Sequence, residues 1–89
     1  MIATVDVTVN DVTGGWTADV RVVDRTTTTH RVRITSAEHA RFGGGDVRDL
    51  VSRSFDFLLA RESNTSILRE FSLSTIEQYF PDYRDAMTR

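Results

Sequence analysis

The stretch Thr28–Phe42, TTHRVRITSAEHARF, contains the change of hydrophobic period that decides the fold of this chain. Up to Ile34 apolar residues alternate with polar ones, which is typical of a half-buried strand. Beyond Thr35 the apolar residues recur at spacings of three and four, which indicates amphipathic helices. Thr35 and Glu38 also have the spacing of a capping box, which marks a helix start. We therefore expect strands before this stretch and helices after it.

Outward from this stretch, residues 2–34 predict three strands. Gly14 and Gly15 lie in the first loop, and Asp24 and Arg25 begin the second. Because both connections are short, the strands should form an antiparallel meander with one face exposed to water. The residues predicted to face the core are Val5, Val7 and Val9 in the first strand, Trp16, Ala18, Val20 and Val22 in the second, and His30, Val32 and Ile34 in the third.

The remaining residues, 35–89, predict a helical half. A short helix should end at the glycines 43–45, and Asp46 is a plausible N-cap for the principal helix. The apolar residues of that helix cover an arc of roughly 200°, which is wider than one sheet face can bury. The C-terminal helices or a second subunit should therefore cover part of it.

A further apolar stripe (Ile67, Leu68 and Phe71) predicts another short helix, and Ser74 with Glu77 repeats the capping-box spacing. Ile76, Tyr79 and Phe80 should face the core, and Pro81 should end the last predicted helix. The sequence thus predicts one α+β domain over residues 1–89. It has a three-stranded antiparallel β-meander (1–34) followed by a helical half (35–89) of three to four helices packed on one face.

Composition limits the functional classes. The chain has 89 residues, no cysteine and a net charge of −2, and all eleven basic residues are arginine. Without cysteine, neither a disulfide nor a thiolate nucleophile nor a Cys-type zinc site can form. The N-terminus lacks the features of a signal peptide, and no stretch approaches the roughly 20 apolar residues of a membrane span. We therefore expect a cytoplasmic protein with no membrane contact.

The C-terminal third carries a recognisable pattern. The segments Phe55-Asp56-Phe57-Leu58-Leu59-Ala60-Arg61-Glu62, Ser66-Ile67-Leu68-Arg69-Glu70-Phe71 and Ile76-Glu77-Gln78-Tyr79-Phe80-Pro81-Asp82-Tyr83 together read FxFLLxRE…SILREF…IxQYFPDY. This pattern resembles the C-terminal signature of a family of small prokaryotic proteins of uncharacterised function. The resemblance implies no activity, so it passes on no catalytic residues.

Three aromatic residues are candidate partner-binding residues by type, namely Trp16, Tyr79 and Tyr83. Tyrosine and tryptophan combine a large apolar area with a polar group and are enriched at interface hot spots. The alternative for each is an ordinary place in the core. A place in the core is favoured for most aromatic residues in so small a domain, and Tyr83 is a stronger candidate for partner contact than Phe80 because it lies beyond Pro81.

Three arginines, Arg21, Arg31 and Arg33, should lie on the open face of the sheet as a candidate anion-binding cluster. Neutralisation by Asp19 and Asp24 is the competing interpretation. Residues 66–80 also have the layout of a helix-turn-helix, although a compact corner of two helices closing the core is favoured. The acidic net charge counts against nucleic-acid binding by either feature.

No constellation of residues predicts catalysis. His30 and His39 are the only histidines, and a metal site or general base could use them with Glu38 or Asp24, but a structural role is favoured for both in a chain without cysteine. We expect no catalytic residue, no metal, no cofactor and no small-molecule ligand. The sequence therefore predicts a non-enzymatic protein-interaction or regulatory module with a protein partner or a second copy in a homodimer. A nucleic-acid-binding protein is the alternative.

Overall fold

The computed structural model describes residues 3–88. It consists of a four-stranded sheet covered by four helices. The elements in chain order are β1 (Thr4–Val12), β2 (Gly15–Val23), β3 (Thr27–Thr35), α1 (Ser36–Arg41), α2 (Val47–Leu59), β4 (Glu70–Ser72), α3 (Leu73–Tyr79) and α4 (Tyr83–Thr88), with a 3₁₀ turn at Asn64–Ser66. Its Cα radius of gyration is 12.1 Å, which matches the value of about 12 Å for a compact domain of this length. The α+β class is confirmed, and the count of four helices lies within the predicted three to four, but the sequence did not predict α4 beyond Pro81.

The sheet differs from the prediction in its fourth strand. The strand order is β1-β2-β3-β4, with β1, β2 and β3 antiparallel as predicted and β4 parallel to β3. The helix predicted from Ile67, Leu68 and Phe71 is therefore wrong, and so is a purely antiparallel three-stranded sheet. Phe71 buries its ring beside Val32 as the middle residue of a three-residue strand. A strand of three residues is too short to show a period in the sequence. Its partner, β3, also lies far away along the chain, so no local signal indicates the pairing.

The core lies between one face of the sheet and the helices. In β2 and β3 the predicted inward residues from Ala18 to Val22 and from His30 to Ile34 are all buried, which confirms the period-two assignment. In β1 only Val7 is fully buried, while Val5 and Val9 are partly buried. The Gly14 turn between β1 and β2 has a φ of 82°, a conformation that favours glycine over any residue with a Cβ.

One carboxylate caps two helices. The predicted capping box of α1 is present, since Glu38 Oε1 accepts a hydrogen bond from the Thr35 amide at 2.9 Å. Glu38 Oε2 also accepts from the Ser74 amide at 2.8 Å and from the Ser74 hydroxyl at 2.5 Å, at the start of α3. The box predicted between Ser74 and Glu77 is not formed, because α3 begins at Leu73 with Ser72 as its N-cap, and the Ser74 amide donates to Glu38 instead. Glu38 thus joins α1 to α3.

The wide apolar arc of α2 is covered by the C-terminal helix α4. Tyr83 is fully buried, and its ring contacts Phe57 and Phe42 edge to face at centroid distances of 5.4 and 4.9 Å. Ser54 Oγ donates to the Leu50 carbonyl at 2.7 Å, so the Tyr83 hydroxyl donates to Ser54 Oγ at 2.6 Å. The sequence left open whether the C-terminal helices or a second subunit covers this arc. The structure shows that a C-terminal helix covers it, so no second subunit is needed for this purpose.

Candidate interaction groove

A chain of hydrogen bonds fixes the segment that leads into β4. Asn64 is buried, and its Nδ2 donates to the Thr26 carbonyl at 2.7 Å and to Thr28 Oγ1 at 3.1 Å. His30 Nδ1 lies 2.7 Å from the Leu68 carbonyl, and His30 Nε2 lies 2.9 Å from Thr28 Oγ1. Because a carbonyl only accepts, His30 Nδ1 carries a proton and donates to the Leu68 carbonyl. His30 therefore holds the Leu68 backbone against the start of β3.

This anchored segment forms one wall of a groove between α2 and α3. The groove has a volume of about 380 Å³, and its lining side chains are apolar except for one carboxylate and three hydroxyls. The residues that line it are Leu58, Glu62, Ser66, Ile67, Leu68, Phe71, Thr75, Ile76, Tyr79 and Phe80. Ile67, Phe71 and Ile76 form the buried floor. We name this feature the α2–α3 groove.

The rim of the α2–α3 groove carries two of the largest exposed apolar side chains in the described part of the chain. Tyr79 is 68% exposed and Leu68 is 49% exposed. Phe80 is half-buried, with its ring 5.9 Å from that of Phe57. Exposed apolar side chains grouped around a concavity differ from scattered single ones, which are normal on any protein surface. This clustering is what distinguishes the groove from the rest of the surface.

The α2 wall of the groove is held by Arg61. Its guanidinium lies over the Phe57 ring at 3.5 Å and donates to the Phe57 carbonyl at 2.9 Å. It also pairs with Asp82 at 3.0 Å, just beyond Pro81. These contacts join the end of α2 to the residues that follow α3, so the groove is preformed. The neighbouring Glu62 is half-buried, and its carboxylate accepts no hydrogen bond from residues 3–88.

The three aromatic candidates lie in different environments. Tyr79 is on the groove rim, as described. Tyr83 is 0% exposed in the core, so its side chain is not free to contact a partner in this fold. Trp16 is half-buried beside α1, with its ring 4.9 Å from that of His39. The structure therefore does not bring Trp16, Tyr79 and Tyr83 together into one site.

The arginine cluster on the open face of the sheet is matched by carboxylates. Arg31 pairs with Asp19 at 3.0 Å, and Arg33 pairs with Glu70 of β4 at 3.5 Å. Arg21 lies directly across the ladder from Asp6. Asp24, which the sequence suggested as a partner, forms no ion pair with residues 3–88. The open face thus alternates in charge, which weakens the case for an anion-binding role of Arg21, Arg31 and Arg33.

The helix-turn-helix layout predicted for residues 66–80 is absent. Its first helix is replaced by the 3₁₀ turn and by β4, and only α3 is helical. The favoured corner of two helices at this position is wrong for the same reason. A groove between α2 and α3, with β4 at its side, takes its place.

The histidines have structural partners. His30 uses both ring nitrogens in the anchoring chain, and His39 Nε2 lies 2.6 Å from the Gly45 carbonyl. Among residues 3–88, no group of three or more His, Asp or Glu side chains is placed to hold a metal ion. Within the same residues, every helix is too short or too polar to cross a membrane.

Comparison of the chain with protein-family models, with curated proteins and with solved structures found no match. The resemblance of the C-terminal pattern to small prokaryotic proteins therefore stays a prediction. Residue by residue, Phe55, Phe57 and Leu58 of that pattern belong to the core, whereas Leu68 and Tyr79 lie on the groove rim.

Sequence reasoning missed two members of the site. The sequence predicts Leu68 as part of a helical stripe and does not single out Glu62. No sequence signal reports the exposure of Leu68, because adjacent residues such as Leu50 and Val51 are both buried on one face of α2. Nor does a sequence signal distinguish Glu62 from other charged residues at helix ends.

Proposed function

We propose that this protein is a non-enzymatic protein-interaction module and that the α2–α3 groove binds a short apolar segment of a partner protein. The observation that carries the proposal is that Tyr79 and Leu68, both exposed, line the same preformed apolar groove. A regulatory role and a cytoplasmic location belong to the same proposal.

The chemistry of the groove defines the partner. Its floor and rim are apolar, so the bound segment contributes aliphatic or aromatic side chains. Glu62 is the one carboxylate in the lining, and it accepts no hydrogen bond from the described residues. A basic side chain in the segment would supply its partner. We therefore propose an apolar peptide segment that carries one arginine or lysine.

Selection from a random peptide library displayed on phage, with the full chain as bait, tests this proposal. We expect enrichment of apolar sequences that contain one basic residue. Synthetic peptides of the enriched sequences should lose at least about tenfold in affinity, or about 1.4 kcal/mol, for the Leu68→Ser and Tyr79→Ser variants. Glu62→Gln should reduce the affinity of the basic peptides alone.

Val12→Ser is the matched control. Val12 is 47% exposed, close to the 49% of Leu68, but it lies in the first hairpin outside the groove. The variant should bind the selected peptides as the wild type does. The proposal fails if no sequence is enriched, or if the enriched peptides bind Leu68→Ser as tightly as they bind the wild type.

A further inference from the structure

The outer edge of β1 is open over its whole length. β1 is the first strand of the sheet and has nine residues, and its one neighbour among residues 3–88 is β2. The opposite edge strand, β4, has three residues and continues directly into α3. A long edge strand is usually protected by lysine, proline or an inward-pointing charge. β1, with the sequence TVDVTVNDV, contains no proline and no basic residue, and its one charge with the parity of the covered face, Asp11, lies near its end beyond Val9.

The register of the sheet shows which groups face this edge. Ser36 N donates to the Gly14 carbonyl, so even-numbered residues of β2 hydrogen-bond to β3 and odd-numbered ones to β1. Odd-numbered residues of β2 lie opposite even-numbered residues of β1. The amide and carbonyl groups of Val5, Val7 and Val9 therefore point away from the sheet, towards the open edge.

The same three valines have their side chains on the covered face. Val7 is 6% exposed, whereas Val5 and Val9 are only partly buried against the core. α2 packs across β1, but no strand formed by residues 3–88 covers the outer sides of these valines. A further strand at this edge would therefore bury apolar surface as well as pair backbone groups.

The sequence of β1 is complementary to itself in one antiparallel register. With a two-fold axis at Val7, Val7 lies opposite its copy and Val5 lies opposite Val9 of the second copy. These are the residues with outward amides, so about six backbone hydrogen bonds form across the seam. On the open face Asp6 meets Thr8, and Thr4 meets Asn10. No two carboxylates lie opposite each other, which is the requirement for close approach of acidic strands.

We propose that two copies of this chain pair through β1 in that register, which makes one continuous eight-stranded sheet with a two-fold axis at Val7. The surface involved is separate from the α2–α3 groove, which lies beside β4 at the other end of the sheet. The dimer leaves both grooves open. Dimerisation covers the one long exposed edge of each sheet. Because the same edge is used in both copies, no further copy can add to it, and assembly ends at two subunits.

Light scattering during size-exclusion chromatography is the first test. At about 1 mM chain we expect twice the monomer mass of 10.1 kDa, falling towards the monomer mass on dilution. Backbone amide exchange of Val5, Val7 and Val9 should slow at least tenfold between dilute and concentrated samples. A monomer mass at about 1 mM, or exchange of these three amides that is independent of concentration, overturns the proposal.

Disulfide trapping tests the register. The chain has no cysteine, so single cysteines report on the seam alone. Asp6→Cys and Thr8→Cys are exposed substitutions whose side chains lie directly opposite each other in the proposed seam. Under mild oxidation we expect a covalent dimer when the two proteins are mixed, and at least about tenfold less from either one alone.

Every other result of the trapping contradicts the proposal. A covalent dimer from Thr8→Cys alone would place the axis at residue 8 instead of Val7. A dimer by light scattering that is not trapped in the mixture would place the interface elsewhere. Leu68→Ser and Tyr79→Ser, which alter the groove, should keep the dimer mass. Loss of the dimer in those variants would assign self-association to the groove instead of β1.

Discussion

The two sides of α2 differ in how far they bury a tyrosine. On one side Tyr83 is 0% exposed, with its ring against Phe42 and Phe57 and its hydroxyl bonded to Ser54. On the other side Tyr79, four residues earlier, is 68% exposed on the rim of the α2–α3 groove. The first side is a packed interior, and the second is a preformed concavity. Residue type alone does not separate them, whereas the elements that follow α2 do.

The difference shows how a small domain assigns folding and binding to separate surfaces. α4 returns across α2 and closes the core, so substitutions there should reduce the free energy of unfolding. α3 buries only Leu73 and Ile76 and leaves its last residue outside. Substitutions at the end of α3 should leave the free energy of unfolding nearly unchanged.

The largest effect should come from Tyr83→Ala. Removal of a fully buried ring should lower the free energy of unfolding by about 3–5 kcal/mol, a large share of the total for so small a domain. Tyr83→Phe is the control, since it keeps the ring and removes one hydrogen bond worth about 1 kcal/mol. Urea denaturation of both variants measures these changes. A mild Tyr83→Ala would place the ring outside the core.

The second-largest effect should come from alkaline pH, which should lower the free energy of unfolding through Tyr83. Burial raises the pKa of Tyr83 to about 12, against the opposing hydrogen bond with Ser54. A raised pKa means that the contribution to stability is complete below pH 10 and is lost as the pH rises towards 12. The loss should reach about 2–3 kcal/mol. Urea midpoints of the wild type and of Tyr83→Phe between pH 9 and 12 check this, and the variant should show a shallower decline.

The Glu38 carboxylate gives a similar test at acidic pH. Burial alone would raise its pKa, but the hydrogen bonds from Ser74 and Thr35 outweigh that effect and hold the pKa below 4.5. Its contribution is therefore complete above pH 4.5 and is lost as the pH falls through the lower, folded-state pKa. At pH 7 Glu38→Gln should lower the free energy of unfolding by about 1.5–3 kcal/mol.

Below pH 4.5 the difference between the wild type and Glu38→Gln should shrink. Glu62→Gln is the control, and at pH 7 it should change the free energy of unfolding by less than about 0.5 kcal/mol. Denaturation at pH 7 and at pH 3 gives all the values needed. An equal deficit for Glu38→Gln at both values would mean that the carboxylate charge does not support the two helix starts.

Phe80→Ala should have an intermediate effect, because Phe80 belongs partly to each side. Its ring contacts Phe57 edge to face but is only half-buried. We expect a loss of about 1–2 kcal/mol, less than the 3–5 kcal/mol of a fully buried phenylalanine. Urea denaturation measures it. A loss as large as that of Tyr83→Ala would mean that the groove is closed in solution.

Tyr79→Ser should have the smallest effect on folding. An exposed side chain away from caps and ion pairs changes stability by less than about 0.5 kcal/mol. The same variant should lose peptide binding by the groove, as proposed above. Thermal unfolding monitored by circular dichroism measures the change in stability. A marked loss of stability would show that Tyr79 supports the fold and would remove the contrast with Tyr83.

The sequence predicted the parts of this fold that depend on local rules. The inward faces of β2 and β3, the capping box at Thr35 and Glu38, and the N-cap Asp46 are confirmed. Asp46 Oδ1 accepts from the Asp49 amide at 3.1 Å, which is the bond expected of an N-cap. Each of these features depends on residues within four positions of one another, so the chain alone contains the information.

The parts that could not be predicted depend on distant partners. β4 exists because Arg69 and Phe71 meet β3, 38 residues earlier along the chain. Tyr79 has the spacing of a core residue relative to Ile76, but spacing does not report how wide a surface covers α3. Both errors concern the groove, because Phe71 of β4 belongs to its floor and Tyr79 lies on its rim.

The parallel ladder between β3 and β4 has a kinetic consequence. The β1–β3 meander and α1 close short loops, whereas β4 can dock only after a long crossover has been ordered. We therefore expect β4 to join late in folding and to detach first in native-state opening. β4, which contributes Phe71 to the α2–α3 groove, would then be the least protected strand of the sheet. A segment bound in the groove would slow the detachment of β4.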